Sequence, residues 1–190
     1  MKVTRECKID VEWLGMEDRL MVGDRIKVKL DKEKYTATAI QQVDDTMLFL
    51  FDQYLDEGRP MNEGGGTEGG YEASDMRKYL RKLYEKFPKK LREDMMPFEN
   101  GDHVRLLSMQ EMFGLDADPD ETRGQIPWLK DRAHRVAYKR NGDLAWGWLR
   151  DAVSGVDFAF VNNYGYADYA GASCAYAIRP AFAIYDPWIP

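Results

Sequence analysis

An α+β fold, with antiparallel sheet and helices to one side, is what this 190-residue chain predicts. The observations behind it are strand-like alternation before residue 55, a helical block after it, and a C-terminal third of strands and long loops. Ile26, Val28 and Leu30 alternate with Lys27 and Lys29, the period of a half-buried strand. Tyr35, Ala37 and Ala39 alternate with Thr36 and Thr38, so a hairpin is expected around Asp31–Lys34. Gly23-Asp24 and Asp44-Asp45 are turn signals. Met47 to Phe51 is an unbroken apolar run, as a strand buried on both faces requires.

The helical block opens at Ser74, a suitable N-cap. Met76, Tyr79, Leu80, Leu83 and Phe87 follow at helical spacing, with Arg77, Lys78, Arg81 and Lys82 on the wet face. Pro88 ends that helix, and a second, about Lys89–Met95, presents Leu91 and Met95 inward. Val104–Leu107 reads as a short strand. Ser108 and Glu111 have capping-box spacing, and Gly114 is a natural stop. Asn141-Gly142, between Arg135–Tyr138 and Leu144–Trp146, is a hairpin signal. Phe158–Val161 reads as a strand, Asn162–Gly165 as a turn and Ala177–Ile184 as the closing strand. Pro180 within that last run suggests an edge or a bulge.

The chain reads as one domain, 1–190, with an N-terminal β region (1–55), a helical region (74–114) and a display module (135–190). Net charge of −6 argues against a general nucleic-acid binder. No apolar run approaches the roughly 20 residues that span a bilayer, and the N-terminus lacks a signal peptide's apolar stretch. Synthesis in the cytoplasm is the expectation, with association with a phage particle left open. Cys7 and Cys174 are read as free thiols.

Residues 56–73 read as a loop. The glycine-dense stretch Glu63–Gly70 lacks a phosphate-loop pattern. It is read as a flexible connector or as backbone packed closely against another segment. Asp116–Asp120 and Glu121 lack the spacing of a calcium loop and are read as acidic surface. His103 and His134 have no metal-ligand spacing, so no metal or other cofactor is expected. Arg150 and Arg179 are read as buried, paired structural arginines, with an anion-binding role as the alternative. Trp146, Trp148 and Phe182 are read as core, with a sugar-stacking platform as the alternative.

Gly155–Tyr176 departs from the rest. It has no Lys, Arg, Glu, Gln, Met or Leu, in a chain that is 32% charged. Tyr, Ser, Gly and Asn are favoured in binding loops, for rigid contact area and adaptable hydrogen bonding. The chain reads as a scaffold displaying this segment.

Trp148-Leu149-Arg150, then Phe158-Ala159, Val161, Gly165, Ala172-Ser173 and Ile178-Arg179-Pro180-Ala181-Phe182 resemble a closing module of proteins from gut Firmicutes and their prophages. There it reads W-L-R … F-A-x-V … G … G-V-R-P-A-F. Upstream, Glu12-Trp13-Leu14, Gly23-Asp24-Arg25, Arg59–Asn62, Ser74–Leu80 and Arg105–Ser108 match its spacing. Those proteins are similar to C-type-lectin-fold domains, a group that includes formylglycine-generating enzymes and the variable proteins of diversity-generating retroelements. In the latter, error-prone copying at adenines scatters Asn codons into codons ending in C or T. Every residue type between Gly155 and Tyr176 has such a codon.

The resemblance implies varied, ligand-binding positions at Gly155, Val156, Asp157, Phe160, Asn162, Asn163, Tyr164, Tyr166, Asp168, Tyr169, Ala170, Gly171, Cys174, Ala175 and Tyr176. It implies scaffold at Trp148, Leu149, Arg150, Phe158, Ala159, Val161, Gly165, Ala167, Ala172, Ser173, Arg179, Pro180 and Phe182. The expected function is non-catalytic recognition of a protein or glycan. One rival, a formylglycine-generating-type enzyme, implies two nearby C-terminal cysteines, and only Cys174 is there. A second rival is a calcium-dependent lectin, for which Asp157 and Asp168 are too few ligands by themselves.

Overall fold

The computed structural model describes residues 11–14, 20–114 and 124–186, the first four as backbone only. The calls on Cys7 and on Asp116–Glu121 lie outside the described residues. In chain order the first strands are β1 (Val11–Leu14), β2 (Arg25–Leu30), β3 (Glu33–Val43), β4 (Thr46–Phe51) and β5 (Gln53–Tyr54). Helices α1 (Gly70–Ala73), α2 (Asp75–Tyr84) and α3 (Lys89–Asp94) follow, then β6 (Met95–Met96) and α4 (Met109–Phe113). A 3-10 turn (Pro127–Lys130), α5 (Arg132–Arg135) and β7 (Tyr138–Lys139) lead to the C-terminal strands. These are β8 (Gly147–Ala152), β9 (Asp157–Val161), β10 (Ala167–Gly171) and β11 (Ala181–Tyr185).

The larger sheet has the order β1-β2-β3-β4-β11-β6, antiparallel throughout. The β2–β3 and β3–β4 turns place Asp31 (φ 55°) and Asp44 (φ 50°) in the left-handed region, which Asp tolerates in tight hairpins. A register shift between Ala39 and Gln41 bends β3. A second sheet, β10-β9-β8, is antiparallel, and β5 and β7 form a short parallel pair.

Burial on both faces organises the interior. Met47, Phe49 and Phe51 of β4 enter one core with Ile26, Val28, Leu80, Leu83 and Phe87. Leu48 and Leu50 enter another with Leu107, Met112, Ile126 and Leu129. Helices α2 and α3 therefore cover one face, and α4 with the 3-10 turn covers the other. This corrects the expectation of helices to one side: a strand apolar on both faces needs cover on both. Phe182 stacks on Phe49 at 5.5 Å and meets Phe87 edge-on at 5.4 Å, so this scaffold residue is fully interior.

Local signals explain the helix ends. The Ser74 hydroxyl accepts from Arg77 N at 3.0 Å. The Ser108–Glu111 capping box is complete, and Gly114 closes α4 at φ 73°. Other elements differ from expectation. Val104–Leu107 makes one bridge, Arg105 to Ala181, because only two backbone bonds reach across. Arg135 ends α5 rather than starting a strand, and the Asn141-Gly142 hairpin shrinks to the bridge Tyr138–Leu144. Gly70–Ala73 is a helical turn within the presumed loop. The closing strand starts at Ala181, after Pro180, and β11 lies between β4 and β6. Pro180 marks neither an edge nor a bulge: its carbonyl accepts from Phe51 N at 3.0 Å, and its missing N–H falls before the ladder.

One buried ion pair ties the helical region to the sheets. Arg105 donates to Glu111 at 2.7 and 2.5 Å, and both side chains are nearly fully covered. Burial would raise the Glu111 pKa from 4.5, but Arg105, Arg150 and the Ser108 N–H hold it at about 2. Glu111→Ala is expected to lose about 3–5 kcal/mol by leaving Arg105 unpaired, measured by urea unfolding. Because the folded pKa is depressed, the carboxylate's stabilisation is whole above its ordinary 4.5 and fades as pH falls to about 2. Wild type should therefore lose more stability across that window than Glu111→Ala.

Candidate functional site

Register sorts the C-terminal side chains. Trp148 pairs with Phe160 and Gly147 with Val161 across β8–β9. Strand alternation sends Trp148, Phe158 and Phe160 into the first core and Leu149, Ala159 and Val161 into the second. Strand β10, absent from the sequence reading, is the free edge of this sheet. Asp168 opposes Phe160 and Tyr169 opposes Ala159, so these neighbours point to opposite faces.

The hairpin tip is held by Asn162. Its Oδ1 accepts from Tyr164 N at 3.0 Å and Tyr166 N at 3.1 Å. Gly165 sits at φ 78°, where an added Cβ would lie 2.9 Å from Arg132 Cγ. Tyr164 is 69% exposed, and the Tyr166 hydroxyl accepts from Arg132 at 2.5 Å.

The glycine-dense loop clamps the other end. Arg59 N donates to Tyr176 O, Asn62 N to Ala172 O, and Thr67 N to Gly155 O. Thr67 Oγ1 donates to Ser154 O at 2.6 Å. A Cβ on Gly58 would lie 3.0 Å from Tyr176 O. Within Glu63–Gly70 itself the packing is open: Thr67 makes the bonds to Gly155 and Ser154 and Gly65 lies near Ser173, while Gly64, Gly66 and Gly70 have nothing within 4 Å of an added Cβ.

An aromatic corner joins the two ends. Trp146 stacks on Phe160 at 5.5 Å and meets Tyr176 at 5.3 Å and 89°. Trp148 lies beneath, 4.7 Å from Tyr176, its indole N–H donating to Arg59 O at 2.8 Å. Burial, then Cys174 and Asp168, raise the Tyr176 pKa.

Of the positions expected to vary, Gly155, Val156, Tyr164, Tyr166, Asp168, Tyr169 and Ala175 are exposed. Asp157, Asn162, Asn163, Ala170, Gly171, Cys174 and Tyr176 are half-buried. Phe160 corrects the set: it is interior, because its register position opposes Trp148. Tyr169 does not share a face with Asp168: the register sends it to the opposite side of β10. Ser173, expected as scaffold, is exposed in the turn after β10.

Among the arginines, Arg150 is part-exposed, 3.8 Å from Glu111. Arg179 differs from the expected acid pairing. It donates to the carbonyls of Phe51, His134 and Arg135 at 2.7, 2.9 and 3.2 Å, and burial lowers its pKa.

Trp146 is 45% exposed, against its reading as core. Tyr138 and Leu144, also exposed, continue from it in a strip the sequence reading missed. The signal was there: Leu144 and Trp146 flank the inward Ala145, and Tyr138 faces Leu144 across the Asn-Gly turn.

Fold and site together define a mixed α/β protein of mostly antiparallel sheet, with a tyrosine-bearing hairpin at its edge. The chain belongs to the DUF6273 family, a domain of unknown function, whose model matches residues 44–185. No curated protein and no solved structure matches it. Among the described residues, no group of three or more His, Cys, Asp or Glu could hold a metal ion. No helix among them is long and apolar enough to cross a membrane.

The framework and the surface should respond differently to substitution. A Cβ on Gly147 would lie 2.6 Å from the hydroxyl of buried Tyr54. Gly147→Ala is expected to destabilise by about 1–3 kcal/mol through overpacking. Tyr164→Ala should stay within about 0.5 kcal/mol of wild type. Urea unfolding of both variants checks the contrast.

Proposed function

We propose that this protein is a non-catalytic binding module of C-type-lectin-like fold. In this reading Gly155–Tyr176 is the surface that a diversity-generating retroelement varies and that a protein or glycan target contacts. The observation that carries it is the partition of side chains along the hairpin. Phe158, Ala159 and Ala172, expected to stay constant, are 0% exposed. Tyr164, Tyr166, Asp168 and Tyr169, expected to vary, are exposed. Changing a side chain that contacts mostly water costs little stability, whereas changing a packed one leaves a cavity. Phe160 is excluded from the varied set. Cytoplasmic synthesis, with later association with a phage particle, belongs to the same proposal.

A library randomising Gly155, Val156, Tyr164, Tyr166, Asp168, Tyr169 and Ala175 among residues with codons ending in C or T tests the reading. Most members are expected to melt within about 5 °C of wild type, and selection should yield binders. Trp148→Ala should lose about 3–5 kcal/mol. Widespread unfolding of the library would refute the display role. The retroelement part stands on the DNA: a template repeat with AAC or AAT at these codons, beside a reverse transcriptase gene. Native codons ending mostly in A or G would remove it.

A further inference from the structure

We infer that the corner formed by Trp146, Tyr176 and Asp168 binds a cationic group, the side chain of a lysine or arginine on a partner protein. This rests on the reading of the hairpin as a binding surface and names the chemistry of one of its contacts. Trp146 keeps 45% of its surface exposed while its ring is fixed against Phe160 and Tyr176. Indole is the strongest aromatic partner for a cation, and rings set at right angles present both faces and edges. Asp168 opposes Phe160 in the ladder, so its carboxylate belongs to the same face.

Charge complementarity decides the occupant. Gly155–Tyr176 contains no lysine or arginine. Asp168 Oδ1 accepts from Tyr169 N at 2.9 Å, and among the described residues no cation pairs with this carboxylate. Three arginines touch this segment away from Asp168: Arg132 bonds the Tyr166 hydroxyl and Arg135 the Gly165 carbonyl at the hairpin tip, and the Arg59 side chain is turned away, 3.3 Å from Glu57 and over the Tyr79 ring at 4.4 Å. A carboxylate and an aromatic face both attract positive charge, and their common complement is an ammonium or guanidinium. Leu144 and Tyr138 extend the corner as an apolar strip that the rest of a protein partner would cover. Trp146 lies outside the varied segment, so the ring is a constant anchor while Asp168 sets the charge preference of this sequence.

The test uses the full chain and the indole N–H resonance of Trp146, assigned with Trp146→Phe. It is titrated with acetyl-Gly-Arg-Gly-amide and with the neutral citrulline analogue. The arginine peptide is expected to shift the resonance saturably, at least ~10-fold more tightly than citrulline. Asp168→Asn should weaken it about 5-fold, and added salt should weaken it further. Equal response to both peptides, response to neither, or indifference to Asp168→Asn overturns the inference. Lys82→Ala, on the exposed face of α2 and away from the hairpin, should bind as wild type; loss there also counts against the corner. If the randomised library stays folded and yields binders while Trp146 ignores arginine, this inference falls alone. If the library unfolds, the display reading falls with it.

Discussion

The stretch Ala177–Pro180 is the seam between the two sheets, and the molecule depends on its backbone bonds. On one side, Phe51 N and Leu55 N donate to the carbonyls of Pro180 and Ile178. On the other, Trp148 N donates to Ala177 O and Ala177 N to Trp146 O. Arg179 projects from the same stretch into carbonyls that arise from β4 and α5. A guanidinium can satisfy several acceptors at once in a fixed geometry, which a lysine cannot. The ends of β4 and α5 are thereby gathered on this one stretch. A carboxylate there would satisfy the charge but would leave those carbonyls without donors.

That seam explains how an edge hairpin can be both rigid and accessible. Strand β9 is buried on both faces, between the two cores, and is paired along its length with β10. Strand β10 contributes ladder bonds and the half-buried Ala170, while Asp168 and Tyr169 stay wet. An exposed edge invites pairing with other chains, and a charged side chain such as Asp168 opposes that. The loop supports the far end through backbone N–H groups of Arg59, Asn62 and Thr67 and the Thr67 hydroxyl, all of which bond backbone carbonyls of the C-terminal segment and leave its side chains unengaged.

Much of the framework was legible because period and punctuation are local properties. The alternation of Ile26, Val28 and Leu30, the Ser74 cap and the Ser108–Glu111 box each act within a few residues. The misses were tertiary. Nothing near Pro180 in sequence says that the ladder begins one residue later, in the middle of a sheet. Strand β10 was hidden because ADYAG has neither a clean alternation nor a β-branched residue; it forms because β9 offers an edge. Within the site, tyrosine-rich composition was readable, but which tyrosine faces which way required the register. Phe160 was misjudged because the resemblance supplied its position, whereas the ladder opposite Trp148 decides its burial.

The misread tryptophan shows where rigidity and exposure meet. Trp146 has its carbonyl held by Ala177 N–H and one ring face against Phe160. An aromatic ring already fixed by its neighbours gives up little rotamer freedom when a partner arrives. A free surface tryptophan would surrender that entropy on binding and also risk aggregation while unbound. Here the seam that joins the sheets also fixes the ring, so the constraint that stabilises the fold preorganises the contact surface. At the hairpin tip the two tyrosines differ: Tyr166 is tied to Arg132 through its hydroxyl, whereas Tyr164 has only its backbone tied to Asn162. An exposed ring held by packing on other rings is thus found at the Trp146–Tyr176 corner and not at Tyr164.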